Sequence, residues 1–144
     1  PDHLCFEYAP APALFSGDHV MGWNTSVIAP PEGHMGAYLE SLHRLLDFGH
    51  DAYFAGHGGR IDQPQRLVKA YIMHRRWREN EIVQAMQAGA PSVPEITARV
   101  YAGLPEHLER AAQLSVLAHL ERLVETGRAE STGPISLEAS FRLI

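Results

Sequence analysis

Apolar residues change their spacing several times along this 144-residue chain, and each change marks an element. Leu4, Phe6 and Tyr8 alternate with His3, Cys5 and Glu7, the period-two pattern of a strand with one buried face. Ala9-Pro10-Ala11-Pro12 interrupts it, because proline donates nothing to a ladder. A second strand is expected over Ala13–Ser16, stopped by Gly17-Asp18, and a loop punctuated by Gly22, Pro30, Pro31 and Gly33 follows. Between Met35 and Phe48 the spacing becomes three and four, with Tyr38, Leu39, Leu42, Leu45 and Leu46 on one helical face and Gly49 closing it. Ala52–Ala55 reads as a third strand, halted by Gly56-His57-Gly58-Gly59.

The second half is helical. One long helix is expected from Gln65 to about Ala88, with a charged middle, His74-Arg75-Arg76-Trp77-Arg78-Glu79. Ser92-Val93-Pro94-Glu95 is a capping box, the serine oxygen meeting the N3 amide while the glutamate reaches back, so a short helix starts there and runs to about Tyr101. Pro105 opens a third helix to Thr126, with Leu108, Ala112, Val116, Leu120 and Leu123 as its buried stripe and Gly127 as its C-terminal stop. Beyond Gly133-Pro134, the alternation of Ile135, Leu137, Ala139, Phe141 and Leu143 predicts a hairpin. Helix, helix, longer helix, hairpin is the order of a winged helix, which divides the chain into 1–66 and 67–144.

Charge follows the same division. Residues 1–66 carry eight acidic and three basic side chains, whereas 67–144 carry nine of each, and the whole chain has a net charge of −5. That sign argues against a protein that grips phosphate backbone over a broad face. The expected recognition helix, Pro105–Thr126, sets Glu106, Glu109, Glu121 and Glu125 against Arg110 and Arg122, so sequence-specific DNA binding is disfavoured. The single cysteine, Cys5, leaves no intrachain disulfide, and no CxxC holds a structural zinc. With no run near the ~20 apolar residues of a membrane span and no basic residue before Arg44, the expected location is the cytoplasm, with no membrane partner. The chain opens at Pro1, without a methionine, directly on strand pattern, which suggests a beginning inside a larger protein.

Asp18 and His57 are the candidate chemistry. Each stands directly after an expected strand and beside glycine, where a side chain is held at the rim of a sheet and a ligand meets little obstruction. Carboxylate and imidazole suit zinc, iron or manganese, but a catalytic zinc takes three protein ligands and spacing alone supplies no third, so by spacing alone Gly17-Asp18 reads first as a turn whose aspartate caps its own backbone. In the loop after Asp18, His19 either orients a ligand or is a plain loop residue, while Trp23 and Asn24 either wall a substrate pocket or pack on the sheet. The charged helix middle either meets an anion or forms a salt-bridged face. His34, His43, His50, His107 and His119 have no visible partners and read as structural or exposed.

Several of these segments together closely resemble the metallo-β-lactamase-fold hydrolases: Leu14-Phe15-Ser16-Gly17-Asp18-His19-Val20-Met21-Gly22-Trp23, Thr25 with Val27 through Pro31, Tyr38 through Leu42, Tyr53-Phe54-Ala55-Gly56-His57-Gly58, and Tyr71 through Arg75 with Arg78-Glu79. The nearest branch is the one with a C-terminal winged-helix extension, which includes β-lactamase-like endoribonucleases. The resemblance implies an α+β chain, the C-terminal part of an αββα sandwich followed by a small winged helix. It implies a hydrolase with two divalent metal ions, zinc or alternatively iron or manganese, in which Asp18 bridges the ions and His57 binds one of them. Pro1-Asp2-His3 resembles the tail of the family's Gly-His-Thr-Pro-x-x-His segment, making His3 a residue that would orient the ligands.

The chain also departs from that pattern. The His-x-His-x-Asp-His motif and the Gly-His-Thr ligand are both absent, so the resemblance covers only the C-terminal half, expected to hold no tightly bound metal and to be inactive without the missing N-terminal half. Expected substrates are small esters, thioesters or phosphodiesters, RNA included, and a homodimer is a further expectation. The alternative is a non-enzymatic winged-helix interaction module.

Overall fold

The computed structural model describes residues 4–144, which fall into two compact units: the residues up to Val27 together with Ala37–His74, and Ile28–Gly36 together with Arg75–Ile144. His3 lies outside the described residues. In chain order the elements are β1 (Phe6–Tyr8), β2 (Ala13–Gly17), α1 (Met35–Leu45), β3 (Ala52–Ala55), β4 (Arg60–Ile61), α2 (Pro64–Gln87), α3 (Val93–Val100), α4 (Glu106–Glu125), β5 (Ala129–Ser131) and β6 (Phe141–Leu143). Helix α2 gives its first half to one unit and its second half to the other.

The first unit is built on a four-stranded sheet in the order β1-β2-β3-β4. β1 and β2 form an antiparallel hairpin, with Phe6 opposite Phe15. β2 and β3 run parallel, because the chain between them crosses over through α1, and β4 returns antiparallel to β3. Leu14, Ser16 and Tyr53 face inward with Leu39, Leu42 and Leu45 of α1, all buried. The opposite face carries Phe6, Tyr8, Phe15 and Phe54, and these remain largely exposed. The burial expected in β1 is not met: Leu4, Phe6 and Tyr8 are on open surface, with Glu7 exposed between them, since nothing among the described residues covers that side of the sheet. Strand β4, too short to leave a periodic signal, had no counterpart in the sequence pattern.

The second unit packs the end of α2, then α3, α4 and the β5–β6 hairpin around Ile82, Val93, Ile96, Val116, Leu120, Leu123 and Phe141. Ser92 caps α3 as the spacing required, its oxygen accepting from the Glu95 amide at 3.4 Å. Glu95 does not reach back to the backbone, however; its carboxylate accepts from the Ser92 hydroxyl at 2.9 Å. Along α4 the stripe from Ala112 to Leu123 is buried, but Leu108 is exposed, one turn before the helix reaches the core. Gly127 adopts φ 68° directly after α4, the left-handed stop that favours glycine. The hairpin pairs Ala129–Ser131 with Phe141–Leu143, so the alternation at Ile135–Ala139 lies in its connecting loop rather than in a strand.

Three histidines without visible partners in the sequence have them in space, and a fourth, buried His119, approaches a carboxylate without a hydrogen bond to either ring nitrogen among the described residues. His34 Nε2 meets Glu125 at 2.7 Å, His43 Nδ1 donates to the Leu39 carbonyl at 2.7 Å, buried His50 meets Glu7 at 3.0 Å, and His119 lies 3.8 Å from Glu79. Glu79 itself is buried and receives Arg122 at 2.5 Å and Arg128 at 2.6 Å. The charged helix middle is thus partly interior, because Arg75 and Glu79 are both buried.

Candidate active site

Parallel neighbours end on the same edge of a sheet, and that places Asp18 beside His57. Gly17 pairs with Ala55 at the end of the β2–β3 ladder, past a bulge, and the Gly56 amide donates to the Gly17 carbonyl at 2.9 Å. Gly17 turns out of the strand with φ 53°, and the next residue projects its carboxylate over the Gly56-His57 turn. Asp18 Oδ1 and His57 Nδ1 are 2.7 Å apart. A carboxylate only accepts, so this contact puts a proton on Nδ1, which donates to Asp18. The imidazole is 71% exposed and the carboxylate 28%, an open rim rather than a buried ion pair.

The loop from His19 to Ser26 is held by hydroxyls from the surrounding scaffold. Ser16, fully buried in β2, donates to the Val20 carbonyl at 2.9 Å. Ser26 donates to the carbonyls of Asp18 at 2.5 Å and His19 at 3.0 Å, and Tyr38 of α1 donates to His19 at 3.1 Å. Tyr71 of α2 reaches the carbonyls of Met21 and Asn24. Fixing five carbonyls by side-chain donors restrains the segment that carries Asp18, which is what a preorganised ligand requires. None of these hydroxyls was singled out in the sequence. Ser16 was the findable one: it occupies an inward register position, two residues after Leu14, where a polar residue needs a reason.

The other candidates divide. His19 is turned to α1, with Nε2 3.0 Å from the Ser41 hydroxyl and its ring edge-on to Tyr38 at 5.0 Å. Asn24 caps its own loop, Oδ1 accepting from the Thr25 amide at 2.8 Å. Trp23 does not pack on the sheet; it is 66% exposed and lies against the Gly-His-Gly turn, where a Cβ on Gly58 would come within 3.0 Å of Trp23 Cδ1. Gly58 also has φ 100°, so a side chain there is doubly unfavourable.

Gly56 is required for a different reason. A Cβ at this position would sit 2.9 Å from Asp18 Oδ1, closer than real contacts allow. Gly56→Ala is expected to push the carboxylate off the imidazole at a stability cost below about 1 kcal/mol, because the end of a side chain on an open rim gives way, with the Nδ1-bound proton resonance of His57 lost or shifted in the NMR spectrum. An unchanged resonance would show that the contact survives the added methyl group.

Carboxylate and imidazole are suitable donors for a divalent cation, and their convergence fits one edge of a metal site. Two donors remain short of a closed site, and among the described residues no cluster of three His, Cys, Asp or Glu side chains could hold a metal ion.

Comparison with known proteins agrees with this architecture. Residues 92–135 match the β-lactamase-associated winged helix domain. The lactamase-like protein adaB of Aspergillus niger is 32% identical over 154 aligned positions, covering 97% of this chain and 47% of that protein. A β-lactamase-like protein 2 homolog of Drosophila melanogaster is 34% identical, covering 80% of this chain and 39% of its own length. Among solved structures, a metallo-β-lactamase family protein from Thermus thermophilus superposes with a TM-score of 0.80 at 22% identity, over 97% of this chain and 44% of that one. The chain spans about half the length of the curated relatives it matches. The chain has the metallo-β-lactamase fold, and its residues 92–135 match the β-lactamase-associated winged helix domain.

Proposed function

We propose that this chain is the C-terminal half of a metal-dependent hydrolase, to which it contributes Asp18 and His57 as ligands. The observation that carries the reading is the 2.7 Å approach of these two side chains at the ends of adjacent parallel strands. Asp18 and His57 would hold a divalent cation, which when bound would supply an activated water and charge neutralisation for cleavage of an ester, thioester or phosphodiester. The chain's own part is positional. The hydroxyls of Ser26 and Tyr38 hold the Asp18 and His19 carbonyls, the backbone that directly follows the Asp18 side chain, and Gly56 leaves the space that its carboxylate occupies. Exposed Trp23, beside the His57 turn, would form one wall for the substrate.

The remaining donors would come from the other half of the parent protein, consistent with the 39–47% of their length over which the relatives align. That half would also cover the aromatic face of the sheet. RNA stays among the candidate substrates, and a cytoplasmic location and a homodimer belong to the same reading. No helix among the described residues is long and apolar enough to cross a membrane.

The test is metal content. A protein extended upstream of Pro1 is expected to carry roughly two zinc, iron or manganese ions per chain by elemental analysis, and its Asp18→Ala variant to lose at least one. An extended protein that folds but binds no metal would leave the non-enzymatic winged-helix module as the reading.

A further inference from the structure

Beside the candidate site lies a hollow of about 330 Å³ that the chemistry described above does not use. Its lining is mostly apolar, with Gly22, Ile61, Leu67 and Ala70, and it also takes in Arg60, Gln63 and Arg66. The hollow adjoins the site through the chain itself: Gly22 is in the loop that starts at Asp18, and Arg60 begins β4, three residues after His57. A Cβ on Gly22 would lie 3.3 Å from Ile61 Cγ1, so any larger residue there would crowd the floor.

The charge here is opposite to that of its surroundings. Residues 1–66 hold only three basic side chains against eight acidic ones, and two of those three meet at this hollow. Arg60 pairs through Nε with Asp62 at 2.7 Å, and both side chains are exposed, so the remaining guanidinium donors are not consumed. Arg66 donates to Gln63 at 3.3 Å and has no carboxylate within 4.0 Å among the described residues. Counting Arg60 and Arg66 against Asp62, the partner of Arg60, leaves a net charge of +1 beside a mostly apolar lining.

We propose that this hollow receives an anionic group attached to an apolar body, a carboxylate or phosphate carried on the part of the substrate that flanks the scissile bond. The inference rests on the hydrolase reading for what the anion is attached to, and on the hollow alone for its being an anion site. Guanidinium forks match the two oxygens of either oxyanion, and Ile61 and Leu67 accept the aliphatic or aromatic part next to it.

A binding experiment without metal or turnover separates the two ideas. The 144-residue chain is titrated with phenyl phosphate, with phenylacetate and with neutral benzyl alcohol, and the amide shifts of Gly22, Ile61 and Arg66 are followed by NMR. Saturable shifts at these three positions with the anions, and none with the alcohol, are expected; the tighter of the two anions tells phosphate from carboxylate. The Arg60→Ala/Arg66→Ala variant is expected to bind about tenfold more weakly or worse. Exposed arginines leave the fold intact, so an unchanged thermal transition should accompany that loss. Shifts that are absent, spread over the surface, or equal in the variant would overturn the proposal. Failure of the metal test in the extended protein, by contrast, would remove the hydrolase and leave the anion site standing.

Discussion

Glu79→Gln is expected to destabilise the second unit by roughly 3–4 kcal/mol at neutral pH, read from urea unfolding. The substitution keeps shape and volume but removes the charge that both Arg122 and Arg128 approach to within 2.6 Å. Those guanidiniums, 28% and 49% exposed, would lose the buried carboxylate that they share. The same cluster predicts the pH dependence. Burial by itself would raise the Glu79 carboxyl, but the contacts from His119 and Arg122 outweigh it and hold the group at about 2, against an ordinary 4.5. Its contribution is therefore complete above 4.5 and lost as pH falls toward 2. His119, driven below 6.5 chiefly by burial, acts in the same direction, since the unfolded chain takes up that proton first. Stability of the unit should decline from about pH 6.5 downward, with the steeper part below 4.5. In the Glu79→Gln protein the steeper part should vanish; if it persists, the acid response belongs to other carboxylates. Restoring balance with Arg122→Met should recover part of the lost stability, because removing both partners costs less than leaving one charge alone.

Where the sequence was legible, a single period dominated. α1, α3 and α4 show apolar residues at helical spacing next to recognisable stops, and they form within three residues of the expected ends. The site was legible for a related reason, since Gly-Asp and Gly-His-Gly each punctuate a strand and leave one polar side chain at its end. What the pattern could not express was long-range pairing. The hydroxyls of Ser16, Tyr38 and Tyr71 act on carbonyls up to 50 positions away, and the partners of His34 and His50 are 91 and 43 positions distant. Glu79 illustrates the same limit. In a run that includes His74, Arg75, Arg76 and Arg78 it reads as one more surface charge, and only the return of α4 and the start of β5 turns it into the anchor of a buried cluster. The alternation in Leu4–Tyr8 is the instructive failure, because it marks a two-faced strand correctly and says nothing of which face finds a cover.

That uncovered face supplies the sharpest test of the chain as part of something larger. Phe15→Glu/Phe54→Glu is expected to change the stability of the 144-residue chain by less than about 1 kcal/mol, while costing the upstream-extended protein several kcal/mol or its fold. Phe6, Tyr8, Phe15 and Phe54 are 60%, 48%, 49% and 37% exposed, and they form a continuous row: Tyr8 meets Phe15 edge-on at 6.2 Å, and Phe15 lies 5.7 Å from Phe54. Cross-strand register puts them on one side of the sheet, opposite the side filled by α1. A soluble protein rarely leaves such a row open, and a sheet with one apolar face uncovered is half of a sandwich. Glutamates there cost little while the face meets water and reduce self-association by light scattering; between packed sheets, each would be a charge without a partner. Urea unfolding of both lengths gives the comparison. Equal small losses in the two would mean that the rest of the protein does not cover this face, and the aromatic row would then have to be explained within the 144 residues.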